Sequence, residues 1–159
     1  MHNINGRGTF LMSKLCIPHL LKSENPHILN LSPPLDMDPL WFQGSLAYTM
    51  AKFNMSMCVL GMAAEYSGKI AVNALWPRTA IRTAAVANVL GGQEMYDKSR
   101  KPEIMSDAAH IILNKDHKTF SGNFLIDDSL LAEHGETDFS KYADYPCLLY
   151  TSPSPRDAS

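Results

Sequence analysis

Tyr48 and Lys52 are the residues whose types and spacing best suit acid–base chemistry. They are four positions apart, so a helix would place the phenol and the ammonium on one face. A free phenol has a pKa of about 10 and exchanges protons poorly at neutral pH. A nearby lysine ammonium, joined by the positive charge of an oxidised nicotinamide, would lower that pKa. Tyr48 is predicted to take a proton from a substrate alcohol as hydride leaves its carbon, or to return it to a ketone.

Two further candidates stand where apolar segments end. Ser32 closes the apolar run at 27–32, and the turn Pro77–Thr83 follows a second run at 69–75. Ligands of open α/β sheets bind outside the carboxyl ends of the strands, so these groups are expected to converge on one crevice. Ser32 would donate a hydrogen bond to the substrate oxygen. Lys52 would also hold the nicotinamide ribose hydroxyls.

Each of these features has a purely structural alternative. A tyrosine followed four residues later by a lysine also occurs by chance, and an apolar stripe at helical spacing usually marks a buried helix face. Ser32 alone fits a turn hydroxyl. All of these groups lie at the ends of the two strands that one crossover connects, and this joint placement favours catalysis. Spacing alone does not decide between the two alternatives.

The elements that must position these residues form a βαβ unit. A long helical pattern over 43–66 separates the two apolar runs, and such crossovers are right-handed in nearly all proteins. Near-continuous apolar strands belong to a parallel sheet covered on both faces, so the predicted class is α/β. Further predicted elements are a helix over 8–22 that Pro18 kinks or ends early, weaker helices at 80–90 and 103–114, and a last strand at 122–127.

Composition excludes several classes of function. The 159 residues carry a formal charge of −2, which draws the chain to neither nucleic acid nor an anionic membrane surface. The apolar run Met55–Ala64 falls short of the roughly 20 residues that a membrane span needs. The three cysteines and six histidines have no paired spacing, so neither a disulfide framework nor a metal site is predicted.

Several segments resemble the short-chain dehydrogenase/reductase family. AYTMAKF (47–53) resembles its Tyr-x-x-x-Lys region, and GMAAEYSGKIAVNALWP (61–77) the strand that follows the active-site helix. TFSGNFLID (119–127) resembles the last strand of the family. NINGRGTFL (3–11) resembles the segment whose asparagine completes an Asn-Ser-Tyr-Lys tetrad, and Asn5 matches that asparagine. The resemblance implies the catalytic residues Asn5, Ser32, Tyr48 and Lys52, and the cofactor-binding residues Tyr48, Lys52, Pro77 and Thr79.

The same resemblance implies a particular fold and organisation. The expected fold is a partial doubly wound, Rossmann-like parallel sheet whose N-terminal nucleotide-binding half is missing, since the Gly-rich phosphate turn is not found. Residues 1–146 are expected to form the C-terminal half of the dehydrogenase domain, which alone would bind no dinucleotide. The Ser/Pro-rich residues 147–159 resemble a translated sequencing adapter and are taken as an artefactual tail.

One branch of the family is most similar at 28–42, 72–85 and 90–92. That resemblance implies an NADP-linked oxidoreductase, with NAD as the other cofactor, that interconverts an alcohol and a ketone on a lipid-like (steroid or fatty-acyl) substrate. It implies a peroxisomal location, with mitochondria as the alternative. It also implies a homo-oligomer through helices 8–22 and 43–66, with Met57, Val59 and Met62 suited to the interface. The alternative is a non-catalytic module that keeps the fold for dimerisation or lipid handling.

Two positions differ from the usual pattern of the family. Arg78 follows Pro77 where most members have glycine, which leaves open which residue of this turn grips the nicotinamide carboxamide. Arg78 would meet a substrate acid or a CoA phosphate, or else be solvated. Trp41 lies in a loop slightly longer than usual, and either lines an apolar substrate pocket or packs as an ordinary loop residue.

Overall fold

The computed structural model describes residues 1–143, apart from the side chain of Leu90, so the predicted tail at 147–159 lies outside the described residues. None of the helices within 1–143 is long and apolar enough to cross a membrane. The helices are α1 (Gly8–Leu20), α2 (Leu46–Glu65), α3 (Gly92–Lys98), α4 (Glu103–Leu113) and α5 (Asp127–Glu133), and the strands are β1 (His27–Asn30), β2 (Ala71–Trp76) and β3 (Phe124–Ile126).

The strands form a parallel sheet in the order β1-β2-β3. β1 pairs with β2 from His27 opposite Ala71 to Asn30 opposite Ala74, and α2 makes the crossover between them. This confirms the α/β class and the βαβ unit. β2 is the central strand and is buried over its first five residues, whereas β1 is only half-buried, less than its apolar sequence predicts.

The core between α2 and the sheet contains two residues that the sequence analysis assigned to a subunit interface. Val59 is completely buried and Met62 is 7% exposed, and both pack with Ile70 and Val72. Only Met57 is available on the surface, at 54% exposure. The interface prediction was therefore wrong for Val59 and Met62, because their positions on α2 share the face that covers the sheet.

The Asn73 side chain attaches the chain before β3 to the centre of the sheet. Its Nδ2 donates to the carbonyl of Phe120 at 2.9 Å. Its Oδ1 accepts from the backbone N–H of Asn123 at 3.0 Å and from the Asn123 side chain at 2.9 Å. Asn73 is fully buried, so these bonds satisfy a polar group that would otherwise be costly.

The chain divides into two compact units. Among the described residues, the first contains 1–76 and 112–125, and the second contains 77–111 and 126–143. In the second unit the predicted helix at 80–90 was only partly right, since Ile81 forms a bridge with Arg100 and a π-helical turn occupies Val86–Leu90. The predicted last strand ends one residue early, because Asp127 begins α5, where acidic side chains favour a helix start.

Candidate active site

Tyr48 and Lys52 lie one turn apart near the beginning of α2. The side chain of Thr49 fastens this end of the helix, because its hydroxyl donates to the carbonyl of Trp41 at 2.5 Å. Tyr48 is 45% exposed. The pair therefore stands at the surface end of a helix whose other face is fixed in the core.

The Lys52 ammonium is directed at the carboxyl ends of two strands. Its Nζ donates to the carbonyl of Leu31, just after β1, at 3.4 Å. It also lies 5.4 Å from the ring centroid of Trp76, the last residue of β2, within the range of a cation–π interaction. Burial lowers the pKa of Lys52, since the charged form is less well solvated there.

Burial raises the pKa of Tyr48 in this structure. The predicted lowering of that pKa requires Lys52 together with an oxidised nicotinamide, and it stays a prediction. The Lys52 ammonium is engaged by Leu31 and Trp76 and makes no hydrogen bond with the phenol. A phenolate at Tyr48 therefore needs a further positive charge beside it.

Ser32 is completely buried next to the end of β1. Its Oγ has no hydrogen-bond partner among the described residues, and no hydrogen bond joins it to Tyr48 or Lys52. The neighbouring backbone is anchored to α2, because the Ser56 hydroxyl donates to the carbonyl of Pro33 at 2.6 Å. A buried hydroxyl without a partner carries a desolvation cost and is available to a ligand.

Asn5 lies in a π-helical turn, Asn3–Arg7, that leads directly into α1. Its side chain donates to the carbonyl of Met1 at 3.0 Å, and its own carbonyl accepts from the N–H of Gly8. No hydrogen bond links the Asn5 side chain to Tyr48 or Lys52. π-Helical turns are rare and often mark functional sites, so the turn itself distinguishes this segment.

Pro77 and Thr79 belong to the second unit. Thr79 is 9% exposed, and its Oγ1 has no hydrogen-bond partner in the described part of the chain. Arg78 between them is not a solvated arginine. Its Nε donates to both carboxylate oxygens of Asp128, at 2.7 and 2.8 Å. Arg78 therefore has an internal partner, and this corrects both sequence-based alternatives, a solvated side chain and a ligand for a substrate acid.

Trp41 is held by polar contacts within its loop. Its Nε1 donates to Oδ2 of Asp36 at 3.1 Å, and its carbonyl receives the bond from Thr49. The side chain is half-buried. These contacts favour the loop-packing interpretation over the substrate-pocket one.

The residues present fit a nicotinamide cofactor at two places, each taken by itself. Lys52 retains ammonium hydrogens suited to ribose hydroxyls. Thr79 offers an unpaired, buried hydroxyl suited to a carboxamide. Within residues 1–143, no three His, Cys, Asp or Glu side chains are grouped so that they could hold a metal ion.

Sequence reasoning missed three residues around these groups. Trp76 was quoted only as part of a motif. Its large aromatic ring at the end of a strand is the signal that could have indicated a contact with a nearby cation such as Lys52. Asp127 was assigned to the end of a strand, and Asp128 was given no role. The signal that could have found them is the pair of adjacent acids, which needs a cationic partner when buried.

Comparisons with known proteins agree on the family. Residues 1–111 match the family model described as enoyl-(acyl carrier protein) reductase. Hydroxysteroid dehydrogenase-like protein 2 of Danio rerio is 60% identical over 146 residues, which cover 92% of this chain and 35% of that protein. The chain thus spans about a third of the length of this curated relative.

Two solved structures share the fold. A dehydrogenase of Xanthomonas campestris is 47% identical with a TM-score of 0.83, over 90% of this chain and 52% of that one. A short chain dehydrogenase of Mycobacterium thermoresistibile is 46% identical with a TM-score of 0.82, over 96% and 56%. With the parallel sheet, the crossover helix and the Tyr48–Lys52 pair in place, this chain belongs to the short-chain dehydrogenase/reductase family.

Proposed function

We propose that the protein carrying this chain is a nicotinamide-dependent oxidoreductase that interconverts an alcohol and a ketone. The observation that carries the proposal is the bond from Lys52 to the carbonyl of Leu31. It brings the helix that bears Tyr48 to the carboxyl end of β1, where ligands of open α/β sheets bind. Family membership supports the reaction class.

Tyr48 is the proton-transfer group in this proposal. Its phenol is half-exposed and within one helical turn of Lys52, so it can meet a substrate oxygen while its own backbone stays fixed. Burial keeps the phenol protonated, which suits the donor needed for ketone reduction. In the oxidative direction, an oxidised nicotinamide supplies the hydride acceptor and a positive charge that favours the phenolate. Ser32 has an unused hydroxyl for the substrate oxygen.

The finer assignments rest on resemblance. NADP as the cofactor, with NAD as the alternative, is proposed on the family resemblance of the sequence, and a lipid-like substrate is supported by the name of hydroxysteroid dehydrogenase-like protein 2. The name of that relative concerns a steroid, and the matching family model concerns an acyl substrate. A peroxisomal location, with mitochondria as the alternative, is proposed on the family resemblance of the sequence alone.

The test is Tyr48→Phe in the full-length protein. Turnover of NADPH with a ketosteroid and with a β-ketoacyl thioester is expected to fall by about 10²–10⁴-fold, because the proton donor is lost. Affinity for NADPH should be nearly unchanged. Tyr66→Phe, at the other end of the same helix, is the matched control and should turn over normally. Normal turnover by Tyr48→Phe would rule out the acid–base assignment.

A second candidate, a module for association, is favoured by a separate observation. Large apolar side chains are exposed on α1 and α2, among them Phe10, Leu15, Met57 and Leu60, each at least half exposed. Exposed apolar patches are usual at interaction surfaces. The unpaired hydroxyls of Ser32 and Thr79 favour the enzyme, since a pure scaffold gains nothing from buried groups without partners.

A further inference from the structure

The turn after β2 is held by an ionic network inside the second unit. The backbone N–H of Arg78 donates to Oδ1 of Asp127 at 2.9 Å. The Arg78 side chain donates through Nε to Asp128 and through Nη2 to the hydroxyl of Ser129, the latter at 2.6 Å. Backbone and side chain of this one residue are thus both fixed to the start of α5, fifty positions along the chain.

The network is largely buried. The side chains of Arg78 and Asp128 are 22% and 14% exposed. Asp128 also pairs with Arg100 at 3.1 Å, and Asp127 is completely buried. Asp128 therefore pairs with two arginines, whereas Asp127 accepts the backbone N–H of Arg78. Breaking such a buried pair leaves an uncompensated charge, so the arrangement is rigid.

Thr79 is the residue whose position this network fixes. It follows Arg78 directly, and its buried Oγ1 has no partner among the described residues. A rotatable hydroxyl beside a loose turn would reach a carbonyl or solvent. Because the preceding residue is tied at three points, the Thr79 hydroxyl is kept at a fixed place with its bonding capacity unused.

We propose that Arg78 and Asp128 are positioning residues for the cofactor. Their ion pair fixes the backbone of the turn so that Thr79 and the neighbouring amides meet the nicotinamide carboxamide in a pre-formed geometry. A turn that contains glycine can adopt such a geometry because its backbone is flexible. This turn is instead held in its geometry by the ion pair. The proposal rests on the proposed function, since it needs a nicotinamide to be bound.

The opposing view is that the network only stabilises the fold. A stabilising role would affect every ligand of the protein alike, whereas a positioning role acts on the nicotinamide end of the dinucleotide alone. The two ends can be separated with NADPH and with 2′-phospho-ADP-ribose, which lacks the nicotinamide. A small displacement of a contact group weakens its interaction with the part of the ligand that it contacts. Contacts to the rest of the ligand are unchanged.

The experiment measures both affinities in the full-length protein by calorimetry for Arg78→Gln and Asp128→Asn. Each variant is expected to bind NADPH about tenfold more weakly, and the double variant no more weakly than Asp128→Asn alone, because that change already removes the partner of Arg78. Affinity for 2′-phospho-ADP-ribose should change by less than about twofold. Lys98→Gln, which breaks the exposed ion pair with Glu94 in the same unit, is the control and should bind both ligands normally.

Ser129→Ala provides a milder variant should the charge changes prevent folding. It removes only the Nη2 partner of Arg78 and should show the same selective loss in smaller measure. Equal loss of both ligands, or no loss of either, would overturn the positioning role while leaving the proposed function standing. A wild-type protein that binds neither ligand would instead refute the proposed function and, with it, this inference.

Discussion

Desolvation is the largest cause of the pKa shifts of Tyr48, Lys52 and Asp127. Burial is the cause that raises the pKa of Tyr48 and lowers the pKa of Lys52, so both side chains are pushed toward their neutral forms. It is also the largest influence on Asp127, whose pKa is raised even though its Oδ1 accepts two backbone N–H groups. Local hydrogen bonds are therefore weaker here than the loss of water.

Asp127 gives a pH-dependent prediction. Its pKa in the folded protein lies above the unfolded value of 3.8, so its stabilising contribution is complete below that value and is lost as the pH rises through the folded pKa. Asp127→Asn keeps an oxygen for the Arg78 N–H and cannot ionise. We expect the free energy of unfolding of the wild type to fall relative to that of Asp127→Asn as the pH rises above 3.8. Urea unfolding over a pH series checks this, and parallel pH profiles would contradict it.

Local signals allowed some site residues to be predicted and not others. Ser32, Tyr48 and Lys52 could be predicted from strand ends and helical spacing, because each signal lies within a few residues of the group itself. Arg78 and Asp128 meet only in the folded chain, and nothing near either residue indicates the other. The orientation of Lys52 toward Trp76 is a tertiary contact of the same kind.

At the scale of elements, the segment that bears Asn5 and the helix that bears Lys52 approach each other closely at Gly6. A Cβ built on Gly6 would lie 2.9 Å from the Cβ of Asn54, which is closer than such atoms come in proteins. The π-helical turn therefore packs on α2 only because position 6 has no side chain. This contact sets the distance between two predicted members of the catalytic tetrad.

Gly6→Ala is expected to destabilise the protein by about 1–3 kcal/mol, because the added methyl group forces the turn away from α2. Turnover should fall as well, since Asn5 moves with the turn. Gly61→Ala is a matched control in α2, where an added Cβ would meet nothing within 4 Å. It should stabilise by about 0.5–1 kcal/mol, because alanine is the better helix former. Denaturant unfolding of both variants measures this, and equal effects would contradict the close-approach argument.

The elements around the crossover could be predicted because their patterns are long and unambiguous. The periodicity over 43–66 and the apolar run at 69–75 correspond to α2 and β2 within a few residues. The second unit was harder, since α3 and α5 are seven residues each and too short for a periodic signal. The π-helical turn at Asn3–Arg7 differs from an ordinary helix by one hydrogen-bond step, which residue types do not reveal.

Across the whole molecule, polar and apolar surfaces are unevenly distributed over the helices. α1 buries only Ser13, whereas its Phe10, Met12 and Leu15 are each more than half exposed. On α2, Met57 and Leu60 are each 54% exposed. We propose that a homo-oligomer forms through these helices, and this exposure supports the proposal.

Met57→Glu is expected to weaken self-association of the full-length protein, because a charge would be placed in the apolar contact. Sedimentation velocity over a concentration series measures the change. Met37→Glu is the control, since Met37 is 70% exposed in the loop before α2 and should leave association unchanged. An unchanged sedimentation profile for Met57→Glu would show that Met57 does not lie in the interface.

The bonds of Asn73 have a consequence for strand register. β3 is three residues long and half-buried along its length, so its apolar pattern alone would not distinguish the correct alignment from one shifted by a residue. The Asn73 amide adds to that discrimination, because a shift would break its bonds to Phe120 and Asn123 together inside the core. It acts beside the backbone bonds that join Gly122 to Val72 and Ala74 to Asn123. The alignment of the third strand is thus set largely by the residues just before it, and a wrong pairing would leave a buried amide without partners.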